Sequence, residues 1–178
     1  MQRYALPAVL CLCALAATAC KKAGAGDPNA TAPGSNASAA PSGGGGDFSS
    51  RGGDACTKYL TPDVVSAVLN GTAGAVKKLS PQSCSITTTD DAGSITITLT
   101  AATPQAFDAY QKYLTDPTPL AGVGDRAVQS MIGISSIKGS NEGCDVDAGG
   151  APGSLKLHGK ALGDKLGAIC NRIYADAK

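Results

Sequence analysis

The sequence predicts an α+β domain with a mostly antiparallel sheet and helices packed on it, in the order α-β-β-α-β-β-β-α, stapled by two disulfides. Three observations carry this. Two segments open on Thr-Pro and continue with apolar residues three and four apart. Two segments between them alternate apolar with hydroxyl residues at a period of two. The C-terminal segment returns to helical spacing. Helices and strands therefore come in runs, not in strict alternation, which argues α+β.

The first helix starts at Thr61, a good N-cap, with Pro62 at the first helical position. Val64, Val65, Val68 and Leu69 share one face, and Asn70-Gly71 supplies the stop. In the next segment Cys84, Ile86 and Thr88 alternate with Ser85, Thr87 and Thr89. After it, Ile95, Ile97 and Leu99 alternate with Thr96, Thr98 and Thr100. This is the pattern of a half-buried hairpin, with Asp90-Asp91-Ala92-Gly93 as its turn. Thr103-Pro104 opens the second helix, whose apolar stripe is Phe107, Tyr110 and Leu114. Asp116-Pro117-Thr118-Pro119 ends it. Strands follow at about 126–130, 132–138 and 143–147, then a Gly-rich loop at 148–153. The last helix is expected over 155–175, with Leu162, Leu166, Ile169 and Ile173 buried. Gly159, Gly163 and Gly167 lie on one ridge of it, each costing about 1 kcal/mol against Ala in a helix interior. They predict close approach to another backbone, the domain's own sheet first and a partner second; the remaining alternative is a helix that starts later than 155.

Residues 1–19 read as an export signal. Arg3 gives a basic head, and an apolar run from Tyr4 to Ala19 is broken only by Pro7 and Thr18. The run is shorter and richer in Ala than a spanning helix, which needs roughly 20 apolar residues. It closes on Ala17-Thr-Ala-Cys20-Lys-Lys22. This end resembles a bacterial lipobox. The resemblance implies a diacylglycerol on the Cys20 thiol, cleavage just before it and acylation of the new amino terminus. Bulky Leu10 and Leu12 make Cys11 and Cys13 poorer candidates. Lys21, where Asp would signal inner-membrane retention, implies an outer-membrane, periplasm-facing destination in a double-membraned bacterium. One acyl chain anchors only marginally, at about 0.8 kcal/mol per buried CH₂, whereas several on one cysteine anchor stably. Residues 20–53 then read as a lipidated cysteine and a tether of Ala, Gly, Ser, Pro and Asn, too poor in apolar surface to offset its ordering entropy.

The globular domain is expected over 54–178, long enough for one modest core. Its 11 Lys and Arg against 12 Asp and Glu leave a net charge of −1, so a nucleic-acid partner is not expected. Four cysteines remain in it: Cys56, Cys84, Cys144 and Cys170. An even count in an exported chain implies two disulfides, with three possible connectivities. The expected pairing is Cys56–Cys84 with Cys144–Cys170. The first ties the entrance of the first helix to the first strand, the second the last strand to the last helix. Spaced this widely, without CxxC pairs, the cysteines favour neither a zinc site nor redox catalysis.

Other chemistry is thin. Gly122-Val-Gly-Asp-Arg-Ala127 matches GxGxxA, but no strand precedes it and no helix follows, so the glycines read as turn residues. His158 is the only histidine, at the start of the last helix, with no GxSxG elbow to serve. Asp145-Val-Asp147 and Asp90-Asp91 are acidic pairs, but neither extends into an EF-hand loop. No catalytic residue, cofactor or metal is expected.

The domain is similar to small bacterial lipoprotein domains of unknown function. A cysteine precedes Leu60-Thr-Pro-Asp63, a second opens a strand at Cys84, and Ala121-Gly-Val-Gly-Asp-Arg-Ala127 precedes a pair of strands. The resemblance implies a compact α+β fold without catalytic residues. The expected function is a non-catalytic binding or envelope-assembly domain, held to the membrane through the lipid on Cys20 and with an envelope protein as its expected partner. The alternatives are an inhibitor of a periplasmic enzyme and a small hydrolase. An inhibitor needs an exposed aromatic patch, for which Tyr110 and Tyr113 are the candidates. Phe107 and Leu114 claim the buried side of that helix, so Tyr113 is expected to face out.

Overall fold

Seven strands form one antiparallel sheet in a computed structural model that describes residues 47–178. The export signal at 1–19, the lipidation site Cys20 and the tether up to residue 46 lie outside the described residues. The strands are β1 (Ala73–Ser80), β2 (Ser83–Thr88), β3 (Gly93–Thr100), β4 (Thr118–Pro119), β5 (Arg126–Gln129), β6 (Gly133–Lys138) and β7 (Glu142–Gly150). The helices are α1 (Gly52–Tyr59), which continues a 3₁₀ turn at Phe48–Arg51, then α2 (Pro62–Val68), α3 (Pro104–Gln111) and α4 (Gly159–Ala175). None of them is long and apolar enough to cross a membrane.

The sheet order is β1-β2-β3-β7-β6-β5-β4. The chain builds one meander, leaves it at β3, passes through α3 to the far edge, and returns strand by strand until β7 pairs with β3. Register follows the alternation. Ile95 lies opposite Ala148, Ile97 opposite Val146 and Leu99 opposite Cys144, all facing inwards. On this inner face Leu162, Leu166, Ile169 and Ile173 of α4, with Cys56 and Tyr59 of α1 and Val65 and Val68 of α2, complete the main core.

The outer face is different in kind. Ser83, Ser85, Ser94, Thr96 and Thr98 lie half-buried across β2 and β3, and their hydroxyls bond across strands: Ser83 Oγ with Thr98 Oγ1 at 2.9 Å, and Thr96 Oγ1 with Ser85 Oγ at 3.3 Å. α3 covers only the other half. Phe107 packs there on Val128 and Ile137, with Ala102 and Leu114 at the margin, as a small second core.

Both expected disulfides are present. Cys56–Cys84 joins α1 to β2 with 5.8 Å between Cα atoms, and Cys144–Cys170 joins β7 to α4 with 5.9 Å. The predicted series of helices and strands runs through the fold, with α1, β1 and β4 added to it.

Four boundaries differ from expectation. The folded unit reaches back into the stretch assigned to the tether: Phe48 is buried and its ring stacks on Tyr174, centroids 5.8 Å apart. Gly52 and Gly53 open α1 because it lies on the β1–β2 turn, where Gly53 N–H donates to Pro81 O at 2.8 Å and a Cβ at Gly52 would strike the Gln82 backbone. α3 ends at Gln111, before Leu114. β7 runs on into the expected loop, as far as Gly150. α4 begins at Gly159, not at 155, because Leu155 bridges Leu69 and Lys156 N–H donates to Val68 O at 2.8 Å, holding that segment extended.

Candidate binding site

The loop with the GxGxxA spacing is a docking loop. Gly122 and Gly124 take positive φ (79° and 54°), and Asn171 of α4 holds both: its Nδ2 donates to Gly122 O at 2.7 Å and its Oδ1 accepts from Gly124 N–H at 3.1 Å. Val123 between them is buried where Gly167 leaves room, and Gly163 leaves room for the Gln129 side chain. Two of the three glycines of the α4 ridge, Gly163 and Gly167, thus meet side chains of β5 and its preceding loop, not the backbone that was expected, and Gly159 opens the helix with a φ of 52° and open space beside it. Asp125 accepts from Gly139 N–H at 2.8 Å, and Arg126 pairs with Asp108 while its guanidinium lies 5.3 Å from the Phe107 ring centre.

His158 stands exposed at the N-cap of α4, beside a cavity of about 710 Å³. Asp116, Ser130 and Lys160 line the same cavity. They are engaged elsewhere or apart: Ser130 Oγ donates to Gly133 O at 3.3 Å, and Lys160 pairs with Asp164 at 2.7 Å. Among the described residues no hydrogen bond links His158 to Asp116 or Ser130, and no three His, Cys, Asp or Glu side chains converge as a metal site. Of the acidic pairs, Asp90 caps its own turn by accepting from Ala92 N–H at 3.2 Å.

Asp145 and Asp147 behave otherwise. Alternate positions of a strand point to one face, and these two point outwards from β7 beneath the C-terminal end of α3. The register sets Asp145 between Thr98 and Ser135, and Asp147 between Thr96 and Gly133. Gly133 leaves the space that the Asp147 carboxylate fills. A cavity of about 320 Å³ opens at Asp145, walled by Phe107, Tyr110, Ala102 and Ala106. A second, about 370 Å³, opens at Asp147, walled by Tyr113, Leu114, Met131 and Ile132. The two cavities have no lining residue in common; Asp145 and Asp147, neighbours on one face of β7, line one each and set them side by side as the two halves of a groove under α3 and the turn after it.

The groove's electrostatics follow from that setting. Burial raises the Asp145 carboxyl to about 6; the Ser135 hydroxyl, by bonding to it, pulls the other way, and Asp147 adds to the rise. Asp147 is more open to water and moves up from the same cause. Burial, then the charges of Asp145 and Asp147, lift the Tyr110 phenol above its usual range. Neither carboxylate takes part in an ion pair among the described residues.

The rim is apolar and exposed. Tyr113 is 85% exposed, Met131 77%, Tyr110 47% and Ile132 45%. Tyr113 therefore faces out and Tyr110 lies over the groove. The sequence marks Tyr113 by a helical position off the Phe107 side, and Tyr110 by its place in the same apolar stripe as Phe107. It gives no mark to Met131 and Ile132, which sit on the β5–β6 turn and reach the same rim only through the fold. Asp145 and Asp147 are visible as an acidic alternation, but their covering by α3 is a tertiary fact.

Comparison with protein-family models, with curated proteins and with solved structures finds no match to this chain.

Proposed function

We propose that this protein is a lipid-anchored envelope lipoprotein that presents a disulfide-stapled binding domain to the periplasm. The observation that carries the binding reading is the exposed rim of Tyr110, Tyr113, Met131 and Ile132 around a carboxylate-floored groove. Contiguous aromatic and Met side chains on a surface mark interaction sites, because water is released when a partner covers them. The anchor reading rests on the apolar N-terminal run that closes on Cys20-Lys21-Lys22, and two disulfides suit an oxidising compartment. Inhibition of a periplasmic enzyme is the second reading, favoured by the same exposed tyrosines, since a rigid aromatic rim suits insertion into a cleft.

The test is made on the full-length chain expressed in a double-membraned bacterium. Mass analysis should find a diacylglycerol on residue 20 and no residue before it. A photocrosslinking amino acid at position 113 should capture a defined envelope protein, and one at exposed Asp63 should not. A product that keeps Met1, bears no lipid and has titratable thiols overturns the anchor. A measured turnover without any captured protein overturns the binding domain.

A further inference from the structure

We propose that the groove under α3 takes a lysine or arginine side chain of a partner protein, with its stem across Tyr110 and its charge at Asp145. The inference rests on the binding-domain reading and gives it a ligand chemistry. Three features support it. The walls are apolar and aromatic, as an alkyl stem requires, and a cation beside an aromatic face gains from the ring quadrupole. The floor carries two carboxylates flanked by hydroxyls of Thr96, Thr98 and Ser135 and by no basic side chain on either neighbouring strand position. The half-buried Asp145 carboxylate has hydroxyls but no cation beside it, and an incoming ammonium or guanidinium supplies the missing charge.

The same wall already holds such a contact within the domain. Arg126 lies over Phe107 and pairs with Asp108, both of α3. That residue occupies the β5 side of the helix; the β7 side has the aromatic and the acid, Tyr110 and Asp145, without the cation. The source is a protein and not a free polyamine, because a second cavity lies beside the first, at Asp147 two residues along β7, and Tyr113, Met131 and Ile132 form its exposed rim. A chain that delivers a basic side chain to Asp145 also covers that rim, while a small polyamine leaves it bare.

The experiment titrates the disulfide-intact protein with a capped leucine–arginine–leucine tripeptide, its citrulline twin and spermidine, following side-chain carboxyl and tyrosine ring signals by NMR. The expected result is saturable shifts at Asp145, Asp147 and Tyr110 with the arginine peptide, and binding of the citrulline peptide weaker by about tenfold or more. Asp145→Asn should lose the arginine preference, while Asp63→Asn, on the opposite side of the sheet, should keep it. Equal binding of the arginine and citrulline peptides, or shifts confined to other surfaces, overturns the inference. Spermidine binding as tightly as the arginine peptide overturns the protein source. Crosslinking in cells from position 113 separates the two levels. Capture that persists unchanged in Asp145→Asn removes the basic-side-chain pocket and leaves the binding domain standing, whereas loss of capture in that variant supports both.

Discussion

Asp145 ionises against its surroundings, and this has a sign that can be measured. Its carboxyl is raised to about 6 in the folded protein from 3.8, so between those values the folded state holds a proton that the unfolded state has released. Its contribution to stability is complete below the lower value and lost as pH rises through the upper one. Replacing it by Asn removes the cost of charging it. Asp145→Asn is expected to stabilise the domain by about 1–2 kcal/mol at pH 7, after allowance for partial solvent access, and to leave it nearly unchanged at pH 4. Urea unfolding of both proteins across that range checks the difference, which is cleaner than either curve alone because Asp108 and Asp176, held low by Arg126 and Lys58, pull the other way. Tyr113 is the opposite kind of residue. Exposed on the rim, it should tolerate Tyr113→Ser within about 0.5 kcal/mol in the same assay while losing any partner captured through that rim.

At the scale of elements, α4 and α3 are held differently. Gly167 of α4 faces the Val123 side chain, so a methyl there must displace a buried residue of the docking loop. Gly167→Ala is expected to destabilise by about 1–3 kcal/mol despite its better helix propensity, and a fall in thermal midpoint tests it. α3 depends on one buried side chain, so Phe107→Ala should cost about 3 kcal/mol and shift amide signals around Val128 and Ile137 more than in the main core. What was legible in the sequence divides along the same lines. Thr103-Pro104 announced α3 because local chemistry writes a helix start, and Thr103 Oγ1 does accept from Ala106 N–H at 3.2 Å. Thr61-Pro62 placed α2 equally well, though Thr61 makes no such bond. β2 and β3 were legible because one face is buried and the other is not. β1 was not, because an edge strand with Val76, Lys77, Lys78 and Leu79 all exposed has no buried side to impose a period. α1 was hidden by its glycines, which composition assigns to a tether and packing assigns to a close approach. The groove was hidden because its halves lie on α3, β7 and the β5–β6 turn.

For the molecule as a whole, the two disulfides close spans of 28 and 26 residues. In the chain-entropy account each is worth about 3–4 kcal/mol. Replacing either pair by Ala should lower the urea midpoint, and losing both should leave a domain with so few aromatics barely folded at body temperature, as circular dichroism would show. Peptide mapping without reduction should recover these two links and no Cys56–Cys170 link. Both bonds, however, tie elements of the inner face: α1 to β2 and β7 to α4. Nothing covalent fastens the strip that crosses the outer face, where Phe107 and the Arg126–Asp108 pair are the main attachments. Hydrogen exchange should then find the amides of α3 opening long before those of α4. The roof of the groove is hung from two pegs over a riveted floor, and a partner arriving beneath it meets a surface able to shift while the foundations stay put.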